Sequence, residues 1–141
     1  MKTEGSTPQE TPEELRSEAR VRTLFEQAAI GAAQVDSNTG RFVWINQRYC
    51  DIVGYSREEM QALDFQTVTH PDDRAASQGI MRRLINGQIP EFAIEKRYCH
   101  KAGQVVWVNL IVSPMWRPGE TPSFHIAIVD NITERKKLRK R

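Results

Sequence analysis

The last third of the chain constrains the fold more than any other stretch. Residues 90–99, 104–116 and 123–131 are rich in Val, Ile, Phe, Tyr and Trp and read as strands. Only Lys101-Ala102-Gly103 separates the first two, and Arg117-Pro118-Gly119-Glu120 joins the second pair. Links this short connect antiparallel neighbours, because a parallel pair needs a crossover of about a dozen residues.

Upstream, the pattern alternates between short extended runs and helices. Ile30–Val35 and Arg41–Ile45 flank the turn formers Asp36-Ser37-Asn38-Thr39-Gly40, which predicts a hairpin. After Asn46, Tyr49, Ile52 and Val53 share a helical face that Gly54 ends. Ser56-Arg57-Glu58-Glu59 is a capping box that opens a short helix to about Leu63. His70-Pro71-Asp72-Asp73 opens a longer helix, with Pro71 in the first turn and two acids against the dipole. Its expected apolar face is Ala76, Ile80 and Leu84 flanked by Met81 and Ile85, and Asn86-Gly87 stops it. Two strands, several short helices and three long strands make an α+β protein with one antiparallel sheet.

The two ends differ from this body. Residues 1–12 are polar and read as a disordered leader. Residues 13–29 keep helical spacing and form an amphipathic helix, marginal by itself in water. It needs a partner surface, either its own sheet or the same helix of a second copy. From Thr133 the sequence reads as another helix, still helical at residue 141, which suggests a linker continuing into a larger protein.

Charge and composition narrow the function classes. Six of the twenty Lys and Arg lie in residues 135–141, so the other 134 residues hold fourteen against eighteen acids and sum to −4. The body is mildly acidic and the tail basic. As no aromatic stacking residues accompany the tail, a coiled-coil linker with Ile132 and Leu138 on its seam is favoured over a nucleic-acid contact. No apolar run is long enough to span a bilayer, and the first residues lack the apolar core of a signal peptide. Cys50 and Cys99 are too few for a disulfide framework or a zinc site, so a reducing cytoplasm is the expected setting. Phosphate loops and the metalloprotease and hydrolase motifs are absent, and the pairs Glu13-Glu14 and Asp72-Asp73 are explained by helix starts. No catalytic residues are expected in this domain.

Several short words at the joints carry a resemblance. Ile45-Asn46 precedes the first core helix, followed by Gly54-Tyr55-Ser56 with Glu59, then His70-Pro71-Asp72-Asp73. Glu95 and Arg97 lie on a strand, Lys101-Ala102-Gly103 leads to Trp107, and Asn131-Ile132-Thr133-Glu134-Arg135-Lys136 closes the series. In this order and spacing, about residues 20–136 resemble the PAS domain (the PAS–PAC sensory box) of bacterial sensor histidine kinases and cyclases. Two words depart from it: Asn131 stands where the family usually has Asp, and Ala102 stands in the usual Asp-Gly turn. Asn131 can cap the exit helix but cannot form an aspartate's ion pair.

The resemblance implies a five-stranded antiparallel sheet over residues 30–132, with helices covering one face and enclosing a pocket. It implies a sensory or dimerising input to an output domain in cis, such as a histidine kinase of a two-component system or a cyclase. Signals would leave through Asn131, Thr133 and Glu134. A homodimer would use Leu15, Ala19, Leu24 and Phe25, with packing inside one chain as the alternative.

Strand alternation then sorts side chains by face. His125, Ala127 and Val129 oppose Ile126 and Ile128; Phe92, Ile94, Lys96 and Tyr98 oppose Glu95 and Arg97; Val108, Leu110 and Val112 oppose Trp107, Asn109 and Ile111. The resemblance places the first of each pair toward the pocket, with Phe42, Trp44 and Tyr49 nearby and the inner face of 41–45 left open. Lys96 has apolar neighbours at period two. Either it reaches the rim or an acid, or with His125 it gives the pocket a positive pole for a carboxylate or phosphate. His70 reads as a helix-start residue and His100 as a solvated turn residue. Covalent flavin photochemistry of the related light-sensing type needs a cysteine, and Leu63-Asp64-Phe65-Gln66-Thr67-Val68 has none. Residues 72–86 lack the histidine expected of a haem sensor. Non-covalent flavin stays open because it depends on pocket volume, as does a ligand-free scaffold that acts only in dimerisation.

Overall fold

Turn chemistry and alternation set the sheet. In the computed structural model, which describes residues 30–139 and positions 12, 16, 19, 20 and 23, five strands form one antiparallel sheet. They are β1 (Gly31–Asp36), β2 (Phe42–Ile45), β3 (Phe92–Cys99), β4 (Val105–Pro114) and β5 (Phe124–Asn131), in spatial order β2-β1-β5-β4-β3. The helices are α1 (Gln47–Val53), α2 (Arg57–Gln61), α3 (Phe65–Val68), α4 (Pro71–Ile85) and α5 (Thr133–Arg139). Alternation in β3, β4 and β5 runs as expected: Lys96, Tyr98, Val106, Val108, Leu110, Val112, His125, Ala127 and Val129 are all buried on one face. No helix among the described residues is long and apolar enough to cross a membrane.

β2 shows why period two could not settle its inner face. Gln34 pairs with Trp44 but Val35 pairs with Phe42, so Val43 is an extra residue in a bulge. The bulge resets the alternation, and both Phe42 and Ile45 turn inward while Val43 is exposed. Trp44, expected near the pocket, is only half-buried opposite Gln34 and does not line the interior cavity.

The helix starts follow the sequence closely. Asn46 caps α1 by accepting from Tyr49 N, and its amide also takes Ala32 N at 3.0 Å, which binds α1 to β1. The Ser56–Glu59 capping box is formed in full. His70 caps α4, its Nδ1 accepting from Asp72 N at 3.1 Å. The buried face of α4 is rotated from the expected one. Ser77, Met81 and Leu84 are buried while Ala76 is exposed and Ile80 and Ile85 are half-buried. Spacing alone does not favour a serine over an alanine one residue away; the buried ammonium described below does.

Gly54 ends α1 with φ +81°, and a Cβ there would lie 2.2 Å from the His100 ring. His100 is therefore half-buried against this glycine rather than solvated, with Nδ1 accepting from Ala102 N at 3.0 Å. Before the sheet, positions 12, 16, 19, 20 and 23 are helical, and Thr23 Oγ1 donates to the Ala19 carbonyl at 2.9 Å. Ala19 is exposed; residues 1–11 of the leader and the contact candidates Leu15, Leu24 and Phe25 lie outside the described residues.

Candidate functional site

Between the inner face of the sheet and α3–α4 lies a cavity of about 20 Å³. That is room for about one water molecule. The cation of the site is Lys96 on β3, only 2% exposed. Its Nζ donates to Thr69 Oγ1 and to Ser77 Oγ, both at 3.1 Å, and lies 5.2 Å from the Tyr98 ring centre and 5.4 Å from that of Phe65. It neither reaches the rim nor makes an ion pair among the described residues. Hydroxyl oxygens and aromatic faces solvate it instead. Thr69 Oγ1 donates its own hydrogen to the Phe65 carbonyl at 2.8 Å, which leaves a lone pair for Lys96. Burial pulls the Lys96 ammonium down to about 8, against an upward pull from the Asp73 carboxylate.

The second polar group is His125 on β5, also 2% exposed. Its Nδ1 shares a hydrogen with Ser37 Oγ at 2.7 Å. In the tautomer in which Ser37 donates, Nε2 carries the ring hydrogen, and no described residue accepts it. Burial first, then the Lys96 charge, push the imidazole down to about 4, partly offset by Asp36. His125 is thus neutral at pH 7. The phenols of Tyr49 and Tyr98 are hydrogen-bonded to each other, and burial raises both, Tyr98 to about 12. Among the described residues that line the cavity, Lys96 is therefore the one that carries a charge at pH 7, and His125 offers a neutral donor.

Of the pocket candidates, Tyr49, Lys96, Tyr98, Leu110, Val112, His125 and Ala127 line the cavity. Val108 and Val129 are fully buried in the core but do not reach it, and Ile94 is half-buried beside the core. The cavity wall also includes Phe65, Ser77 and Met81, and Thr69 is an acceptor of Lys96. They come from helices and a connecting residue, where strand alternation carries no information; a polar residue within an apolar helix face was the available signal for Ser77. A flavin ring system does not fit about 20 Å³.

At the exit, Asn131 Oδ1 accepts from Thr133 N at 3.0 Å and Thr133 Oγ1 at 2.7 Å, while Trp107 N donates to Thr133 Oγ1 at 3.0 Å. The amide thus fixes the first turn of α5. Charge is supplied nearby: Lys136 pairs with Glu95 at 2.7 Å and lies 4.3 Å over the Trp107 ring, whose other neighbour is the Arg97 guanidinium at 5.2 Å. Arg97 in turn holds Asp73 of α4 at 2.7 and 3.0 Å. Glu134 is exposed.

An antiparallel sheet in this order, with short helices over one face and a last helix following its central strand, defines a five-stranded α+β module. The chain belongs to the PAS family: residues 42–129 match the PAS fold. It is 37% identical over 121 residues to the probable diguanylate cyclase DgcE of Escherichia coli (strain K12), covering 86% of this chain and 11% of that protein. It is 30% identical over 120 residues to the sensor histidine kinase TmoS of Ectopseudomonas mendocina, covering 85% of this chain and 12% of that one. The chain thus spans about a ninth of the length of these relatives. Among solved structures, a PAS domain from Colwellia psychrerythraea superposes with TM-score 0.74 at 20% identity, covering 86% of this chain and 99% of that one. The LOV protein of Rhodobacter sphaeroides gives 0.70 at 13% identity, covering 84% and 68%. These likenesses in structure bear on the fold.

Proposed function

We propose that this domain is the sensory input of a larger bacterial signalling protein with an enzymatic output of the diguanylate cyclase or histidine kinase type. It takes a small anion beside Lys96 and reports occupancy through β5 and α5. The observation that carries this reading is a buried ammonium with no counter-ion among the described residues, at a cavity that His125 also lines with a ring nitrogen for which no described residue is a partner. A buried charge without an opposite partner lowers stability, and an anion that reached it would be bound by an ion pair in a poorly solvated site. The relay is supported by connectivity: β5 carries His125 as its second residue and ends at Asn131, and Ile132 N donates to the Trp107 carbonyl at 2.9 Å where α5 begins. Dimerisation through the N-terminal helix fits the exposed Ile111 and the half-buried Ile126 and Ile128 on the outer sheet face.

The test is calorimetry of this chain against a panel of short carboxylates and inorganic phosphate. Binding that disappears in Lys96→Met supports the reading; binding unchanged in that variant removes it. The size of the cavity favours a second reading, a ligand-free scaffold that acts by dimerisation alone. Under that reading no anion binds, and pocket-filling substitutions such as Ala127→Trp leave output activity unchanged in the full-length protein.

A further inference from the structure

The small cavity sets a problem for the anion reading, on which this inference rests. A space of about 20 Å³ holds a water but no carboxylate with a carbon chain. Any organic anion must displace a side chain, and the wall residues differ in how readily they yield. Tyr49 and Tyr98 are each 1% exposed and joined through their hydroxyls. Leu110, Val112 and Ala127 belong to β4 and β5, whose ladder runs through seven paired positions. His125 is held by Ser37.

Phe65 is the exception. It is half-buried and sits on α3, a helix of four residues. Its ring lies beside both polar groups of the site, 5.4 Å from Lys96 Nζ and edge-on to His125 at 6.4 Å between ring centres. Phe65 and Met81 line the inner cavity and also an open groove of about 320 Å³ between the β1–β2 turn, α3 and α4. The same groove includes Gln66, whose Oε1 is buried with no hydrogen-bond partner among the described residues, and the cation Arg82.

We propose that the Phe65 ring occupies the seat of a short-chain carboxylate, which arrives through this groove and takes the ring's place between Lys96 Nζ and His125 Nε2. Moving the ring into the groove clears a space on the order of a benzene molecule. The exchange replaces a cation–π contact by an ion pair, while Thr69 and Ser77 keep their hydrogen bonds to Nζ. Arg82 at the groove gives an approaching anion a favourable field. The unfilled Gln66 Oε1 offers an acceptor to a hydroxyl on the ligand or to a water that accompanies it.

Two measurements on this chain test the seat. The first needs no ligand: acetic anhydride labelling at pH 8, with mass spectrometry reading the acetylation rate of Lys96 against exposed Lys101. Phe65→Ala should raise the Lys96 rate about tenfold or more and leave Lys101 unchanged, the rise expected when a closed state stops limiting access. Phe65→Leu, which keeps the apolar packing, should raise it in the same direction and covers the case in which the alanine variant does not fold. The second is calorimetry with sodium propionate and sodium butyrate, where both variants should bind about tenfold more tightly because the ring no longer competes for the seat. If the carboxylates bind wild type and require Lys96, yet neither variant changes labelling or affinity, the seat is wrong and the anion reading stands. If labelling accelerates but no carboxylate binds any variant, the anion reading falls and takes the seat with it.

Discussion

Replacing Lys96 by methionine should stabilise this domain at neutral pH, although it removes a residue with two hydrogen bonds. Burial lowers the Lys96 ammonium from 10.5 to about 8. At 1.36 kcal/mol per pH unit, that difference means the charged form costs the folded state about 3 kcal/mol relative to the unfolded chain. Methionine fills a similar volume without a charge. It leaves the Thr69 and Ser77 oxygens without their donor, a loss of about 1 kcal/mol each, so the net gain at pH 7 is about 1 kcal/mol. The sign with pH follows from the same shift. A cation whose folded value is depressed makes the unfolded state hold more protons between about 8 and 10.5, so stability rises with pH across that window. In wild type the rise from pH 7 to 9.5 should be about 2 kcal/mol, and in Lys96→Met this contribution should be absent. Urea denaturation at half-unit pH steps reads both quantities, with constant m as the check on two-state unfolding. A wild-type stability flat from pH 7 to 9.5, or a Lys96→Met variant less stable than wild type at pH 7 by more than about 1 kcal/mol, would refute the reasoning.

His125 should act at the acid end. Its imidazole is depressed from 6.5 to about 4, so the neutral form is what the fold holds, and stability should fall by up to about 3 kcal/mol as pH drops from 6.5 to 4. The fall should be shallower in Lys96→Met, because the Lys96 charge is one of the causes of the depression; a carbon-resonance titration of His125 by NMR reads it directly. Gly54→Ala should destabilise by more than about 1 kcal/mol, since φ is +81° and the new methyl would meet the His100 ring at 2.2 Å. A melting curve that does not move would show that His100 is not packed there.

Strand identity, the antiparallel order of the last three strands and the sorting of their side chains into two faces were legible because each rests on a local rule, while which face meets the cavity rests on the family resemblance. Val108, Leu110 and Val112 share one face by alternation, and Ser56 with Glu59 announces a cap by chemistry. The illegible parts depend on what meets across the fold. Phe42 and Ile45 both face inward because of a bulge at Val43, which no periodicity contains. Ser77 is buried in place of Ala76 because its hydroxyl accepts from Lys96 nineteen residues away. Lys96 itself was legible as a cation among apolar neighbours, but its partners were not: two hydroxyls and two rings, rather than the rim or an acid. Phe65 could not be placed at all, because a four-residue helix has no period to read.

Neighbouring residues of β3 carry positive charge to opposite faces of one sheet: Lys96 inward to the cavity, Arg97 outward to Trp107 and the base of α5. Asp73 touches this arrangement from α4. It bonds Arg97 through both carboxylate oxygens and also raises the Lys96 ammonium through its charge. The Arg97 hydrogen bonds, foremost, hold the Asp73 carboxyl below its ordinary range. An anion beside Lys96 would be repelled by Asp73, so occupancy of the cavity and the grip of Asp73 on Arg97 are linked by electrostatics, with no rearrangement of the β3–β4 ladder required. Asp73→Asn tests the link at its centre. With that charge gone, Lys96 should titrate below its wild-type value, and Arg97 should lose its bidentate partner while the Lys136–Glu95 pair on the outer face stays in place. Nitrogen-detected NMR of the Lys96 ammonium across pH 6–10 reads the first effect. An unmoved Lys96 titration in this variant would mean that α4 does not sense the cavity charge, and the route from cavity to exit helix would have to run through β5 alone.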